Sequence, residues 1–259
     1  MKTKHQFLIA LVAFVISTAA MPKLQAQTKK VNNIVLVHGA FVDGSGWKPV
    51  YDILVKKGYH VSVVQQTLTS FDGDVAATIR ILDQQDGPCI LVGHSYGGAI
   101  ITEAGNNPHV AGLVYIAAHA PDNGENEADL GKKIPSAYKS LQKGSDGFDY
   151  ILPASFPADF AADLNPAWAR FMAVSQPPTS DKVFHGVIQN AAWRKKPSWY
   201  MVADADRIIN PDLERFYAKR ANSHKVEVKG ASHSVFASRP TEVAALIIEA
   251  ANGALAQKK

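Results

Sequence analysis

The segment at residues 89–98, CILVGHSYGG, constrains the fold of this chain more than any other. It places the pattern G-x-S-x-G between an apolar, strand-forming run and a helix-forming run. Gly93 and Gly97 allow the backbone to make a sharp strand-to-helix turn there. Such a turn exposes the hydroxyl of Ser95 at the start of a helix, whose dipole favours nearby negative charge. The segment therefore predicts a nucleophilic serine at Ser95, provided that a base lies beside it.

Apolar runs alternate with helical patterns along most of the chain. Six runs are typical of strands that are buried on both faces, at residues 34–37, 60–64, 89–92, 113–117, 199–202 and 226–228. Helices are expected between them, with Asp72 and Thr241 as N-caps, at residues 47–57, 72–85, 95–107, 211–221 and 241–254. This alternation predicts an α/β fold with a mostly parallel, doubly wound sheet of about six strands.

Residues 121–196 interrupt the alternation of strands and helices. They contain no strong strand pattern, and several prolines separate their aromatic and short helical patches. A loop of this length without structure of its own is uncommon inside a compact domain. We therefore predict a helical lid at residues 121–196, inserted into an α/β core made of residues 27–120 and 197–259.

Residues 1–26 have the layout of a secretory signal peptide. A positive head precedes an apolar stretch at residues 7–20, which is shorter than the ~20 residues of a membrane span. Cleavage is expected after Ala26 or, alternatively, after Ala20, and an uncleaved anchor is the other possible outcome. We expect a mature protein without a membrane span, exported to the periplasm or the medium.

Charge and cysteine content exclude several kinds of function. Without residues 1–26, 24 basic and 23 acidic residues remain, so the formal charge falls from +4 to +1. A charge this small argues against a nucleic-acid or anionic-membrane partner. Cys89 is the only cysteine, which excludes an intramolecular disulfide and a cysteine-based metal cluster.

A second chemistry-bearing segment, VHGAF at residues 37–41, ends the first predicted strand. The tetrahedral intermediate of acyl transfer needs two preorganised N–H donors for its oxyanion. One donor is expected from Tyr96, the residue after the nucleophile, and the other from this early turn. Gly39 lets the backbone curve, so Ala40 is the predicted second donor, and Phe41 is expected to line the pocket. A plain turn at the end of a strand is the alternative interpretation.

The base is predicted at His233, in a loop that follows the last predicted strand. Chains with this kind of serine turn carry the serine, the acid and the histidine in that order. His94 adjoins the serine but points elsewhere across a sharp turn, so we expect it to be structural. The acid is Asp204 or Asp206, which both end the fifth strand. Side chains two residues apart on an extended chain face alike, so periodicity does not choose between them.

One further histidine ends the fourth predicted strand. His119 lies where strand ends meet the ligand crevice of a parallel α/β sheet. His119 and the side chain of Tyr96 are therefore predicted to contact the substrate, although a loop histidine satisfied by its neighbours is the alternative. The many aromatic residues at 121–196 suggest an apolar acyl or alcohol group, or simply packing of the lid on the core.

Together these segments resemble the α/β-hydrolase superfamily over nearly all of the mature chain. The chain looks most like the small lidded esterases grouped with plant methyl-salicylate esterases and hydroxynitrile lyases. The resemblance rests on the His38–Gly39 turn, on residues 93–98 and on YIAA at residues 115–118. It implies that the acid is the last aspartate before the loop, Asp206, and that no metal or organic cofactor takes part.

The resemblance implies a serine hydrolase that cleaves a small carboxylic ester through an acyl-enzyme intermediate, acting as a monomer or homodimer. Two positions depart from the lyase pattern, which has lysine in place of Ser234 and threonine in place of Gly39. A cofactor-free perhydrolase or a lyase on the same triad is the alternative activity. A ligand-binding protein on a hydrolase scaffold is the alternative of a different class.

The signal peptide can be tested by the mass of the protein made in its native host. We expect export and a mature chain that starts near Gln27, because small residues follow the apolar stretch. Intact-mass measurement on the periplasmic fraction and the medium checks this. A cytoplasmic product that retains Met1 would show that residues 1–26 are not a signal.

Overall fold

The computed structural model describes residues 31–256, in which strands alternate with helices. The strands are β1 (Asn33–Val37), β2 (His60–Val64), β3 (Cys89–Ser95), β4 (Val110–Ala118), β5 (Leu141–Lys143), β6 (Phe148–Ile151), β7 (Thr179–Ser180), β8 (Ser198–Ala203) and β9 (His224–Val228). Six of them form one parallel sheet in the order β2-β1-β3-β4-β8-β9. These six are the predicted strands, so the predicted α/β fold is confirmed.

Residues 1–30, which include the predicted signal peptide at 1–26, lie outside the described residues, as do residues 257–259. The prediction of export therefore rests on the sequence alone. None of the helices within residues 31–256 combines the length and the apolar content of a membrane span.

Helices flank the sheet and also occur between β4 and β8. They are α1 (Lys48–Lys56), α2 (Phe71–Leu82), α3 (Gly97–Ala104), α4 (Glu127–Lys133), α5 (Phe156–Asp159), α6 (Pro166–Ser175), α7 (Pro211–Arg220), α8 (Val235–Ser238) and α9 (Pro240–Gly253). The two predicted N-caps are wrong. Ser70, the last extended residue before α2, accepts a hydrogen bond from Gly73 N. In α9 the cap position is Arg239, which makes no side-chain capping bond.

The order of the strands brings several strand ends together at one edge of the sheet. The chain lays β2 on one side of β1 and then crosses to β3 on the other side. Val37 at the end of β1 pairs with Gly93, and Ser95 at the end of β3 pairs with Ala118. Ligands of open α/β sheets bind at the carboxyl ends of strands where the order reverses, so this register already favours a site around Ser95.

The burial of both faces of the sheet explains why the sequences of the central strands are continuous apolar runs. Every residue of β1, β3 and β8 is buried, because helices cover both faces of the sheet. The outer strands differ, since His60 of β2 and Glu227 of β9 are exposed. The centre of the sheet therefore forms a rigid support for the residues at its edge.

The segment between β4 and β8 contains more than helices. It holds α4, α5 and α6, but β5, β6 and β7 also form a small antiparallel sheet within it. The segment predicted as a helical lid thus contains short helices, as expected, and in addition a small sheet that the sequence did not predict. These strands have only two to four residues each, too few to show the alternation by which strands are recognised in a sequence. Phe156 and Phe160 are fully buried, as expected for packing on the core.

Gly97 provides a test of how tightly α3 packs against β1. A Cβ at this position would lie 2.6 Å from the carbonyl oxygen of His38 and 2.8 Å from that of Val37. Because neither backbone atom can move aside easily, Gly97→Ala should lower the free energy of unfolding by about 1–3 kcal/mol. Urea titration followed by circular dichroism measures the change.

Gly131 in α4 is the matched control. A Cβ there has no atom within 4 Å, and alanine restricts the unfolded chain, so Gly131→Ala should be neutral or stabilising by up to about 1 kcal/mol. Equal losses of unfolding free energy in the two variants would show that the effect of Gly97→Ala does not come from the close backbone contact.

Candidate active site

The strand-to-helix turn predicted at Ser95 is present. Ser95 ends β3 with a φ of 54°, and α3 begins at Gly97. A positive φ is strained for a residue with a side chain and persists only where its surroundings enforce it. Here the surroundings are backbone atoms, because a Cβ on Gly93 would lie 2.5 Å from the carbonyl oxygen of Gly97. The two glycines therefore make the close contact that turns the chain at Ser95.

The early turn passes directly beside Ser95. A Cβ on Gly39 would lie 2.7 Å from the Cβ of Ser95, so only glycine allows this approach. Ala40 and Phe41 line the same cavity as Ser95, as the sequence predicted for Phe41. The N–H of Phe41 donates to Thr179 Oγ1 at 3.2 Å. Because this amide is engaged, Ala40 is the better candidate for an oxyanion donor in this turn.

Tyr96 directs its side chain away from the cavity. Its hydroxyl donates to Asp74 Oδ2 at 3.0 Å, and both residues are buried. Burial, followed by the charge of Asp74, raises the pKa of Tyr96 far above its usual range. Among residues 31–256, those that line the cavity with Ser95 do not include Tyr96, so this arrangement gives no support for the predicted contact of Tyr96 with a substrate. The backbone of Tyr96 lies next to Ser95 at the start of α3.

His233 and Asp206 form a buried pair. His233 Nδ1 lies 2.5 Å from Asp206 Oδ2, and both side chains are fully buried. Since a carboxylate only accepts hydrogen bonds, Nδ1 carries the proton and Nε2 is left as the basic nitrogen. The other oxygen of Asp206 accepts from the N–H groups of Ile208 and Ile209 at 2.7 and 3.0 Å. These bonds fix the carboxylate and hence the tautomer of His233.

The structure also separates the two candidate acids. Asp204 Oδ1 accepts from the N–H of Gly230 at 2.5 Å, which joins the loops after β8 and β9. Asp206 instead faces His233 from the buried side of the turn. The turn after β8 therefore places Asp206, and not Asp204, against His233, which strand periodicity could not predict.

His94 connects the serine turn to the loop of His233. Its Nε2 lies 3.0 Å from the backbone carbonyl oxygen of His233, and the two rings are 4.7 Å apart between centroids. Burial, and then the neighbouring His233, lower the pKa of His94 well below its usual range. His94 is therefore neutral, and it donates the bond that holds the backbone of His233 beside the serine turn.

Within residues 31–256 no hydrogen bond joins the reactive atoms of Ser95 and His233, although His94 holds the loop of His233 against the serine turn. Among residues 31–256, His233 Nε2 is buried and has no hydrogen-bond partner. In catalytic sites without bound substrate, the hydrogen bond between nucleophile and base is often long or poorly aligned, and it tightens when the substrate binds. The unpaired lone pair of Nε2 is thus free to accept a proton.

A cavity of about 550 Å³ opens above Ser95. Its floor is formed by core residues that the sequence singled out, which are Ala40, Phe41, Ser95 and His119. Its roof comes from the segment between β4 and β8, including Glu127, Tyr138 and Phe184. His119 Nδ1 also lies 3.2 Å from the hydroxyl oxygen of Tyr217, and burial lowers the pKa of His119, so its ring is neutral. His119 thus lines the cavity, and the hydroxyl of Tyr217 is a hydrogen-bond partner for one of its ring nitrogens.

Metal ligands are absent from this part of the chain. Within residues 31–256, no group of three or more histidine, cysteine, aspartate or glutamate side chains could hold a metal ion. The single cysteine, Cys89, is buried in β3, and burial raises the pKa of its thiol to about 12.

Glu214 belongs to this site, and the sequence reasoning missed it. This fully buried residue of α7 accepts a hydrogen bond from Ala203 N at 3.1 Å through Oε2. Burial, followed by the charge of nearby Asp206, raises the pKa of Glu214 well above its usual range. These surroundings favour the protonated form of Glu214 next to the carboxylate that holds His233, and within residues 31–256 no hydrogen bond reaches Glu214 Oε1. Its position on the buried face of α7, beside Leu213 and Tyr217, was the signal that could have revealed it.

Comparisons with known proteins give matches in both sequence and fold. The model of a family described as the alpha/beta hydrolase family matches residues 34–246. A carbendazim hydrolyzing esterase of Nocardioides sp. (strain SG-4G) is 34% identical over 120 residues, which cover 40% of this chain and 49% of the esterase. Methyl jasmonate esterase 1 of Vitis vinifera is 25% identical over 255 residues, which cover 85% of this chain and 97% of that esterase.

The fold is also found in a solved structure. The crystal structure of a pyrethroid hydrolase from Sphingobium faniae JZ-2 has a TM-score of 0.73 and 23% sequence identity. The match covers 88% of this chain and all of that chain. This chain therefore shares its fold with the hydrolase, and it spans about half the length of the Nocardioides esterase.

Glu214→Gln tests whether Glu214 is protonated in the folded protein. Because its folded pKa is raised, the folded state binds more protons than the unfolded state above the unfolded pKa of about 4.3, and stability falls as pH rises. Glutamine is neutral in both states, so the decline in the urea midpoint from pH 5 to pH 8 should be shallower in the variant. Glu242→Gln, at an exposed position of α9, is the control, and equal slopes in both variants would contradict a protonated Glu214.

Proposed function

Because the chain belongs to the alpha/beta hydrolase family, we propose that it is a serine hydrolase that cleaves a small carboxylic ester through an acyl-enzyme intermediate. The observation that carries the proposal is the buried hydrogen bond between His233 and Asp206, held beside the strained turn at Ser95. The names of the relatives support an ester substrate, since two are esterases and one is a pyrethroid hydrolase.

The first half of the proposed reaction acylates the serine. The oxygen of Ser95 attacks the ester carbonyl carbon while His233 Nε2 takes the hydroxyl proton. Asp206 stabilises the imidazolium that forms, and the N–H groups of Ala40 and Tyr96 bind the oxyanion. When the intermediate collapses, His233 gives the proton to the departing alkoxide, which leaves as the alcohol.

The second half repeats these steps with water as the nucleophile. Water enters the position vacated by the alcohol, and His233 takes one of its protons as the oxygen attacks the acyl carbon. The ester bond to Ser95 then breaks, the proton returns to the serine oxygen, and the carboxylic acid leaves. No step requires a metal or an organic cofactor.

Hydrolysis is favoured over the alternative activities by the neighbours of His233. Ser234 occupies the position at which the resembling lyases carry lysine, and its hydroxyl donates to the carbonyl oxygen of Phe160 at 3.0 Å. This buried serine supplies no positive charge that would stabilise a cyanide anion. The paired His233 and Asp206 also favour an enzyme over a binding protein, because ligand binding alone does not need a polarised histidine.

The proposal extends to the setting in which the enzyme works. We propose that residues 1–26 direct its export, and that it acts on small esters as a monomer or homodimer. The nearly neutral charge of the remaining chain supports a small-molecule substrate rather than a nucleic acid.

Substitution of the triad residues tests the proposal. Ser95→Ala and Asp206→Asn should each reduce kcat for p-nitrophenyl esters by on the order of 10⁴-fold, the first by loss of the nucleophile and the second by loss of the correct tautomer. Asp204→Asn is the matched control, because Asp204 is bound to Gly230 and not to His233. It should retain activity within about threefold, in keeping with a change away from the reacting groups.

Labelling with a fluorophosphonate gives a second readout of the same variants. Wild-type protein and Asp204→Asn should be labelled, whereas Ser95→Ala should not. Undiminished ester turnover in Ser95→Ala, or losses as large in Asp204→Asn as in Asp206→Asn, would refute the proposed triad.

A further inference from the structure

A second carboxyl group faces the cavity above Ser95. Glu127 is the first residue of α4, it lines the cavity together with Ser95 and His119, and it is only 6% exposed. Among residues 31–256, its Oε2 is buried without a hydrogen-bond partner. Buried polar groups are nearly always paired, and a group left unpaired calls for an explanation. The proposed reaction uses Ser95, His233 and Asp206 and gives Glu127 no role.

The charge state of Glu127 follows from its surroundings. Burial raises its pKa well above the usual range, which favours the protonated carboxyl group. A protonated carboxyl has one O–H donor. The hydroxyl of Tyr96 is bound to Asp74, and that of Tyr217 approaches His119. Tyr138 lines the same cavity, but within residues 31–256 no hydrogen bond reaches Glu127 Oε2, so the donor is left for a molecule in the cavity.

We propose that Glu127 is a substrate-recognition residue that donates a hydrogen bond from its buried carboxyl group to an uncharged oxygen acceptor of the ester substrate, such as an ether or a second carbonyl. This inference rests on the proposed ester hydrolysis and narrows its substrate class. The hydrogen bond removes the unpaired buried group, so it forms only when a substrate with a suitable acceptor is bound.

The rim of the cavity favours a neutral acceptor over a cationic substrate. Lys132, Lys139 and Lys143 line the cavity, with Asp181 as the aspartate among the lining residues. Asp181 is paired with Lys143 at 2.9 Å, so it offers little attraction to a further cation. Lys132 is likewise paired with Asp129, so Lys139 supplies the net positive charge of these lysines at the rim. A positively charged ester would meet this charge, and its binding would also require Glu127 to ionise where burial opposes ionisation.

The test compares esters of equal size and different polarity. On the acyl side, p-nitrophenyl pentanoate, 3-methoxypropionate and 4-aminobutanoate place a methylene chain, an ether or a cation in the same space. On the alcohol side, pentyl acetate and 2-ethoxyethyl acetate make the same comparison. Each kcat/KM is divided by the rate of hydroxide hydrolysis of that ester, which removes differences in intrinsic reactivity.

Wild-type protein should prefer the ether over the alkyl ester by about fivefold or more in at least one of the two series, as one net hydrogen bond implies. Glu127→Gln should keep this preference, because an amide is also a donor. Glu127→Leu and Glu127→Met should abolish it. The change should reside in KM, since Glu127 contacts the substrate away from the reacting atoms. Lys133→Gln, a change at an exposed position of the same helix that does not line the cavity, should leave the ratio as in wild type.

Several results would overturn the inference. An equal loss for ether and alkyl esters in both apolar variants would make Glu127 a packing residue, and a preference for the amino ester would make it an anionic site. Wild-type protein that hydrolyses the esters without preferring the ether would refute the inference alone. Failure of wild-type protein to hydrolyse any ester, together with no fluorophosphonate labelling at Ser95, would instead refute the proposed function. Urea midpoints for each variant show that the folded protein is being compared.

Discussion

The close approach of backbone segments at the carboxyl edge of the sheet is the constraint on which this site depends. Gly39 at the end of β1 lies against Ser95, Gly93 lies against Gly97, and a Cβ on Gly98 would lie 2.2 Å from the carbonyl oxygen of His119. These contacts leave no space for side chains, so Ser95 is held in a strained conformation by atoms that cannot relax. The strain is sustained by the parallel sheet, whose central strands are buried on both faces.

Burial decides which groups near the serine carry charge. His94 and His119 are neutral because their enclosed positions oppose a positive charge next to His233. Glu214 is neutral because the charge of Asp206 and burial both oppose a second negative charge. Asp206 is therefore left as the one carboxylate in direct contact with His233, where it can stabilise the imidazolium that the proposed reaction forms.

The segment between β4 and β8 is joined to the core at the points where the core carries its chemistry. Thr179 accepts the N–H of Phe41 in the early turn, and the carbonyl oxygen of Phe160 accepts from Ser234 beside His233. The same segment places Glu127 in the roof of the cavity. One inserted segment thus contacts both the early turn and the loop of His233, so under the proposed mechanism changes in it affect both binding and turnover.

The sequence by itself determined the order of strands and helices along the chain, the strand-to-helix turn at Ser95 and the position of His233 in the loop after the last strand. These features follow from local sequence patterns, such as an apolar run followed by closely spaced glycines. Such patterns predict the local conformation of the backbone without knowledge of tertiary contacts. The tertiary structure placed Asp206 rather than Asp204 against His233, a choice that strand periodicity left open, tied the side chain of Tyr96 to Asp74, and brought Glu214 and Glu127 to the site. Each of these outcomes depends on buried contacts between residues that are far apart in the sequence. Neither the type of a residue nor its spacing from its neighbours shows which distant residue it will contact.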